Sequence, residues 1–312
     1  MPLSDEAIGT LAVVASVLGA ALLPVLTYEL KAGLHPVTFS LATIVPAVFA
    51  CMIWRAITGR ELGLVARGPH VMYFMLIGIL GFVIPLTLIA WLADAGVPGT
   101  TISVLLLTEI VYTLVLGPVV LNERIGAKNV GAALLVVAGA YLAIASEPVR
   151  LAGIWPVALL VPLSWQFAHL TYRTRLSGYE PFDVLYARLF YSTAFLLLAS
   201  IVVVSPGARI PSLDPTVLSR LVVTGVFCHF MSLSFWYVAL SKINLTKATT
   251  MIMTYPAVSF VLFTLIGTPV NMSQWVGLVL ATTGAMAAGL MPSEHHSEPI
   301  GPTLAAGEDK NA

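Results

Sequence analysis

Apolar residues in this chain fall into long runs rather than the short alternating blocks of a soluble domain. A helix crossing the hydrocarbon core of a bilayer needs about 20 mainly apolar residues. Ten stretches meet that need, at 8–28, 36–54, 71–93, 100–121, 127–145, 153–172, 182–204, 219–240, 248–267 and 273–291. Helix-stopping clusters separate several of them: Gly33-Leu34-His35-Pro36, Gly96-Val97-Pro98-Gly99, Ser205-Pro206-Gly207 and Gly267-Thr268-Pro269. The pattern predicts an all-α integral membrane protein of ten transmembrane helices with short loops. Asp5 and Glu6 precede the first run where a cleaved leader carries basic residues, so that run is expected to stay as a span.

Composition strengthens this reading. Of 312 residues, 58% are apolar and only 10% charged, against about 25% charged in soluble domains. Too few charges remain to cover a soluble surface. Fifteen basic and fifteen acidic residues cancel, which leaves no basic face for nucleic acid. Cys51 and Cys228 sit inside apolar runs as small core residues, so neither a disulfide framework nor a thiol metal site is expected. No cofactor is expected either.

Lys and Arg set orientation. With the amino terminus inside, the inner segments carry Arg55, Arg60, Arg67, Arg124, Lys128, Arg173, Arg175, Lys242, Lys247 and Lys310. The outer segments carry Lys31, Arg150, Arg209 and Arg220, a ratio of ten to four, and Arg188 lies within a span. Both termini are therefore expected in the cytoplasm, with the chain in the plasma (inner) membrane. Residues 292–312, which include His295-His296, read as a disordered cytoplasmic tail.

The chain also repeats itself. Leu26-Thr27-Tyr28 recurs as Leu170-Thr171-Tyr172, Gly33 and Pro36 as Gly178 and Pro181, Trp91 as Trp236, Thr108 as Thr254, and Gly131 as Gly277. The offset drifts only from 144 to 145 to 146, as a duplication with two single-residue insertions gives. Residues 1–146 and 147–291 are thus read as two five-helix repeats. An odd number of helices sends the second copy through the membrane in the opposite direction. Inverted repeats are a common architecture of secondary transporters, with the substrate near the midplane between the copies.

In these features the sequence resembles the drug/metabolite transporter superfamily, whose members carry two EamA-type five-helix repeats. Residues Thr101 to Ile144, with the Asn122-Glu123-Arg124-Ile125 turn, match the carboxy-terminal half of one repeat. Tyr255-Pro256 and the small-residue stretch Gly277 to Gly289 match the other. Arg188, following Pro181, resembles the Arg that the family often places there. The sequence departs from the pattern at Thr43, which replaces the first repeat's Arg, and at Glu109-Ile110, which replaces a Pro. Gly267-Thr268-Pro269 likewise stands where the second turn would carry Glu. The resemblance implies a transporter that is not an enzyme, working as a monomer and compatible with a dimer.

Ionisable groups inside spans cost about 2.5–3.5 kcal/mol each on insertion scales and mark functional candidates. Glu109 stands nine residues into the fourth span, roughly 13 Å deep at about 1.5 Å per residue. His229 lies at a similar depth in the eighth, Arg188 near the inner end of the seventh and His169 near that of the sixth. An Arg188–Glu109 pair across the repeat interface is within reach. Two readings stand for it, a polar substrate or proton site and a structural ion pair. Helical spacing places Tyr112 on the face of Glu109, Trp165 and Gln166 on that of His169, and Tyr191 near Arg188. Trp236 and Tyr255 add aromatic surface from the eighth and ninth spans. These ten residues are the substrate-site candidates. Trp54, Trp155 and Trp275 fit interfacial anchors instead. Gly131, Ala132, Gly139, Ala140, Gly277, Gly284 and Gly289 suit close helix packing, and Pro24, Pro85 and Pro256 suit kinks.

The expected function is a secondary transporter moving a small organic metabolite or amphiphile outward, with protons as the candidate coupling ion. No Walker glycine-lysine motif is present to supply ATP. The alternative, an intramembrane enzyme acting on lipid or peptide, lacks Gly-x-Ser-x-Gly and His-Glu-x-x-His signatures.

Overall fold

The computed structural model describes residues 3–30, 34–61, 70–121, 127–145, 153–203, 214–243 and 245–290. The Asn122–Ile125 turn, Ser205-Pro206-Gly207, Gly33 and the tail with His295-His296 lie outside them. So do Lys31, Arg67, Arg124, Arg150, Arg209 and Lys310. Ten helical columns run through the described residues. They are α1 (Asp5–Leu30), α2 (Pro36–Ile57), α3 (Val71–Asp94), α4 (Gly99–Leu106 continuing as Glu109–Leu121) and α5 (Ala127–Ala145). Then follow α6 (Trp155–Ala158 and Leu160–Thr171), α7 (Pro181–Val203), α8 (Pro215–Lys242), α9 (Leu245–Ile252 continuing as Tyr255–Leu265) and α10 (Met272–Leu290). By length and apolarity alone, α1, α2, α3, α4, α7 and α8 each suffice to cross a membrane.

The interruptions obey the repeat. The ladder of α3 widens to π-helix at Ile79–Val83, and that of α8 does so at Thr224–Met231, beginning 145 residues later. α4 breaks at Leu107–Thr108 and α9 at Met253–Thr254, 146 residues apart. The same contact is present at both breaks. The Thr108 hydroxyl donates to the Leu105 carbonyl at 2.7 Å and the Thr254 hydroxyl to the Met251 carbonyl at 3.0 Å. A side chain that bonds back to its own turn competes with the helical ladder. The two identical threonines thus hold the same place and the same contact in each repeat.

Cross-repeat packing follows the same pairing. α2 lies on α7 and α5 on α10, each helix against its own counterpart. α1 crosses α8 where Ser16 and Ser232 each donate to the other's carbonyl at 2.8 Å. In the counterpart crossing of α6 with α3, the Ser164 hydroxyl donates to the Leu80 carbonyl at 2.7 Å. In α5–α10 the backbones meet: a Cβ on Gly277 would stand 2.6 Å from the Gly139 carbonyl oxygen. Small residues permit this approach where lipid supplies no hydrophobic drive between helices. Gly131 faces open space and takes no part.

The two ends of the bundle differ. At the end bearing the amino terminus, Lys242 pairs with Asp5 at 2.9 Å and Lys247 with Glu6 at 2.5 Å, joining α1 to α8 and α9. There too Arg55 pairs with Asp183 and Arg60 with Glu180, joining the end of α2 to the start of α7. The hydrogen bond that Arg60 donates to the Glu180 carboxylate holds its guanidinium above its ordinary pKa. At the far end, the described ion pair is Arg220–Glu29, 3.4 Å apart. Trp54 and Trp275 are exposed, as anchors would be, whereas Trp155 is buried in the core. The start of α6 at Trp155 packs inward on α3, which sequence position alone does not reveal.

Candidate substrate site

A cavity lies at mid-depth between the repeats, with about 670 Å³ of space not filled by atoms, its mouth included. Its wall draws on α1, α3 and α4 from the first repeat and α6 to α9 from the second. Three prolines help to shape it. A proline has no N–H for the carbonyl four residues earlier. For Pro24, Pro85 and Pro256 those carbonyls belong to Ala20, Gly81 and Ile252, and all three residues line the cavity.

At Gly81 the released oxygen has new donors. Arg188 Nη2 donates to it at 2.5 Å and Trp165 Nε1 at 3.1 Å. Arg188 Nη1 donates to the Tyr237 hydroxyl at 2.9 Å, and the guanidinium lies 4.6 Å from the centre of the Phe82 ring. The residue is 1% exposed. A Cβ at 81 would press into the guanidinium well inside van der Waals contact, so any larger residue there requires Arg188 to shift.

Glu109 opens the second half of α4 and stands 3.2 Å from His169 Nδ1. The approach is out of line, and both atoms remain without a hydrogen-bond partner. Tyr255 opens the second half of α9, at the repeat-equivalent position to Glu109, and its buried hydroxyl is also unpartnered. The His169 ring packs on Trp236 with centroids 5.0 Å apart, and His229 meets the edge of Phe82 at 5.2 Å. Arg188 Nε, His229 Nε2 and Trp236 Nε1 likewise have no hydrogen-bond partner.

Seven of the ten sequence-predicted residues therefore share one cavity: Glu109, Trp165, His169, Arg188, His229, Trp236 and Tyr255. Three do not line it. Tyr112 donates to the Leu159 carbonyl at 3.2 Å, and Gln166 accepts from the Thr113 hydroxyl at 3.1 Å in the α4–α6 seam. Tyr191 packs edge-on against Phe190 at 5.6 Å. Arg188 and Glu109 do not form the pair that their depths allow. The guanidinium turns to α3 and α8, where an oxygen released by proline and two ring faces stand ready, and the carboxylate turns to α6. Sequence reasoning missed Ser16, Gly81, Phe82, Ser232 and Tyr237. For Gly81 the signal was present in Pro85, four residues on.

Comparison with known families decides the class. The model of the EamA-like transporter family matches twice, over residues 7–145 and 154–290. The chain belongs to the EamA-like transporter family. Its two matches are the two repeats, and the family's members are transporters rather than enzymes, so the enzyme alternative is set aside. No curated protein matches the sequence. One crystal structure, described simply as that of a protein, superposes with a TM-score of 0.70, covering 90% of this chain and 97% of the other. At 14% identity that likeness concerns the fold alone. This EamA-like transporter is thus a multi-pass membrane protein with a small-molecule substrate.

Proposed function

We propose that the chain is a secondary active exporter of a small organic metabolite or amphiphile, working by alternating access at the cavity between its repeats. One observation carries this reading. Six buried polar atoms without a hydrogen-bond partner, on Glu109, His169, Arg188, His229, Trp236 and Tyr255, all belong to residues of that one cavity. A buried polar group left unsatisfied costs about 1–3 kcal/mol, so six at one place suit an incoming polar solute. Aromatic walls with a few convergent polar groups suit a small organic body. All seven cavity residues from the sequence reading are assigned to substrate or proton binding. Tyr112, Gln166 and Tyr191 are given supporting positions.

Protons are the proposed coupling ion, with Glu109 as the carrier beside His169. The proposed domains are 1–146 and 147–291, followed by a cytoplasmic tail. Both termini are placed in the cytoplasm of a cell whose plasma (inner) membrane holds the protein, in line with the ten-to-four distribution of Lys and Arg. The test has two steps. A metabolite library is screened for compounds that raise the melting temperature of the purified protein, since a ligand that binds only the native state stabilises it. The hits are then followed across proteoliposomes with and without an imposed pH gradient. Gradient-driven movement of a hit is expected, and hits that bind but never cross would remove the transport reading.

A further inference from the structure

We infer that the solute taken by this cavity is an organic monoanion with an apolar or aromatic body, its acid group received by Arg188; this inference rests on the transport reading above. The starting point is a charge census of the wall. Among the described residues it holds one guanidinium, Arg188, one carboxylate, Glu109, and two imidazoles, His169 and His229. The carboxylate faces the His169 ring, 3.2 Å away on α6, and not the guanidinium. The guanidinium meets no counter-charge. Its bonds go to a carbonyl and a hydroxyl, its faces to the rings of Phe82 and Tyr237, and no carboxylate lies within 4.0 Å of it among the described residues. A buried charge without a partner is strongly unfavourable.

Geometry adds direction. Two bonds and a ring contact at 4.6 Å fix the plane of the guanidinium before any solute arrives. Nε remains unpartnered on a residue that is 1% exposed and lines the cavity. A planar fork held in place recognises a carboxylate better than a mobile ammonium does, and ordering it beforehand removes a cost of binding. Around it the wall is apolar: Phe82, Leu86, Trp165, Leu233, Trp236 and Ile252. A neutral solute would leave the guanidinium uncompensated. A cation would meet it with repulsion. A zwitterion would need Glu109 for its second pole, a group that already faces His169.

The purified full chain is titrated with 3-phenylpropionate, octanoate, 3-phenylpropanamide, 3-phenylpropylamine and phenylalanine, and melting temperature and affinity are read. The expected order places the acids first, with 3-phenylpropionate about tenfold or more tighter than its amide, as one charge-assisted hydrogen bond provides. Arg188→Gln should erase the preference for acid over amide. The acid–amide comparison uses the unaltered protein, so it decides even if that variant does not fold. Equal binding of amide or amine overturns the inference, and so does phenylalanine binding above 3-phenylpropionate. If neither acid binds while a neutral or cationic library compound binds and crosses vesicles, the monoanion class falls and the transport reading stands. If nothing binds or crosses, both fall.

Discussion

Arg188 Nη2 lies 2.5 Å from the carbonyl oxygen of Gly81, an oxygen that Pro85 cannot engage because proline has no N–H. A side chain of the second repeat is thereby fixed by a backbone defect in the first. The same group reaches Tyr237 on α8, so three helices are joined at one guanidinium. Arg188→Lys keeps the charge but cannot serve both partners in the plane of a fork. Transport by the Lys variant should fall by about tenfold, the worth of one charge-assisted bond, and the melting temperature should fall with it. Near-normal transport would reduce Arg188 to a general counter-charge.

Pro85 offers a more discriminating variant. An N–H at position 85 would seek the carbonyl of Leu80 or Gly81, oxygens now bonded by Ser164 and by Trp165 and Arg188. Pro85→Ala should therefore repair the α3 ladder at the expense of the site. The expected result is an equal or higher melting temperature together with reduced transport. Gly81→Ala should reduce both, because its Cβ drives the guanidinium out of place.

The helices and the repeat were legible because a bilayer imposes about 20 apolar residues per crossing, and because Thr108 and Thr254 do the same work in both copies. Side-chain partners were less so. Helical spacing states which residues share a face of their own helix, as with Glu109 and Tyr112, but not which neighbour that face meets. Tyr112 turns out to reach the Leu159 carbonyl. The depths of Arg188 and Glu109 allowed a pair, and only the fold reveals that a released carbonyl competes for the guanidinium. Trp155 misled for the same reason: a position near a span end fits an anchor until the packing of α6 on α3 buries it.

The end of the bundle that bears the amino terminus is tied by charge, and Cys228 on the cavity wall provides a native reporter of access. Asp183→Asn removes the acid that pairs with Arg55 between α2 and α7. In a Cys51→Ser background, this variant should alkylate faster at Cys228 with a thiol reagent applied to that end, while reagent applied to the far end should show little change. Equal rates for parent and variant would show that these pairs do not restrain opening.

Orientation is checked separately. Ser4→Cys places an exposed thiol beside the start of α1, whereas Cys51 and Cys228 are buried. In intact cells a membrane-impermeant reagent should leave it unlabelled, and labelling should appear after the membrane is opened. Ready labelling of intact cells reverses the proposed topology.

Glu109 is the last test, and the one that bears on coupling. It begins the second half of a broken helix, is 2% exposed, and faces His169 at 3.2 Å without an aligned hydrogen bond. Tyr255, its counterpart in the other repeat, lines the same cavity, and Arg188 is the cavity's fixed positive charge. A carboxylate so placed, within the cavity that faces the two sides of the membrane in turn, is the proposed carrier of the coupling proton. Glu109→Gln preserves size and most hydrogen bonding but cannot titrate. In proteoliposomes it should remove the acceleration of transport by a pH gradient, leaving exchange without a gradient and the melting temperature near those of the parent. A Gln variant that still follows the gradient would show that the proton is carried elsewhere, with His169 the next group to replace. A Gln variant that melts far lower would instead assign the Glu109–His169 contact to holding α4 against α6.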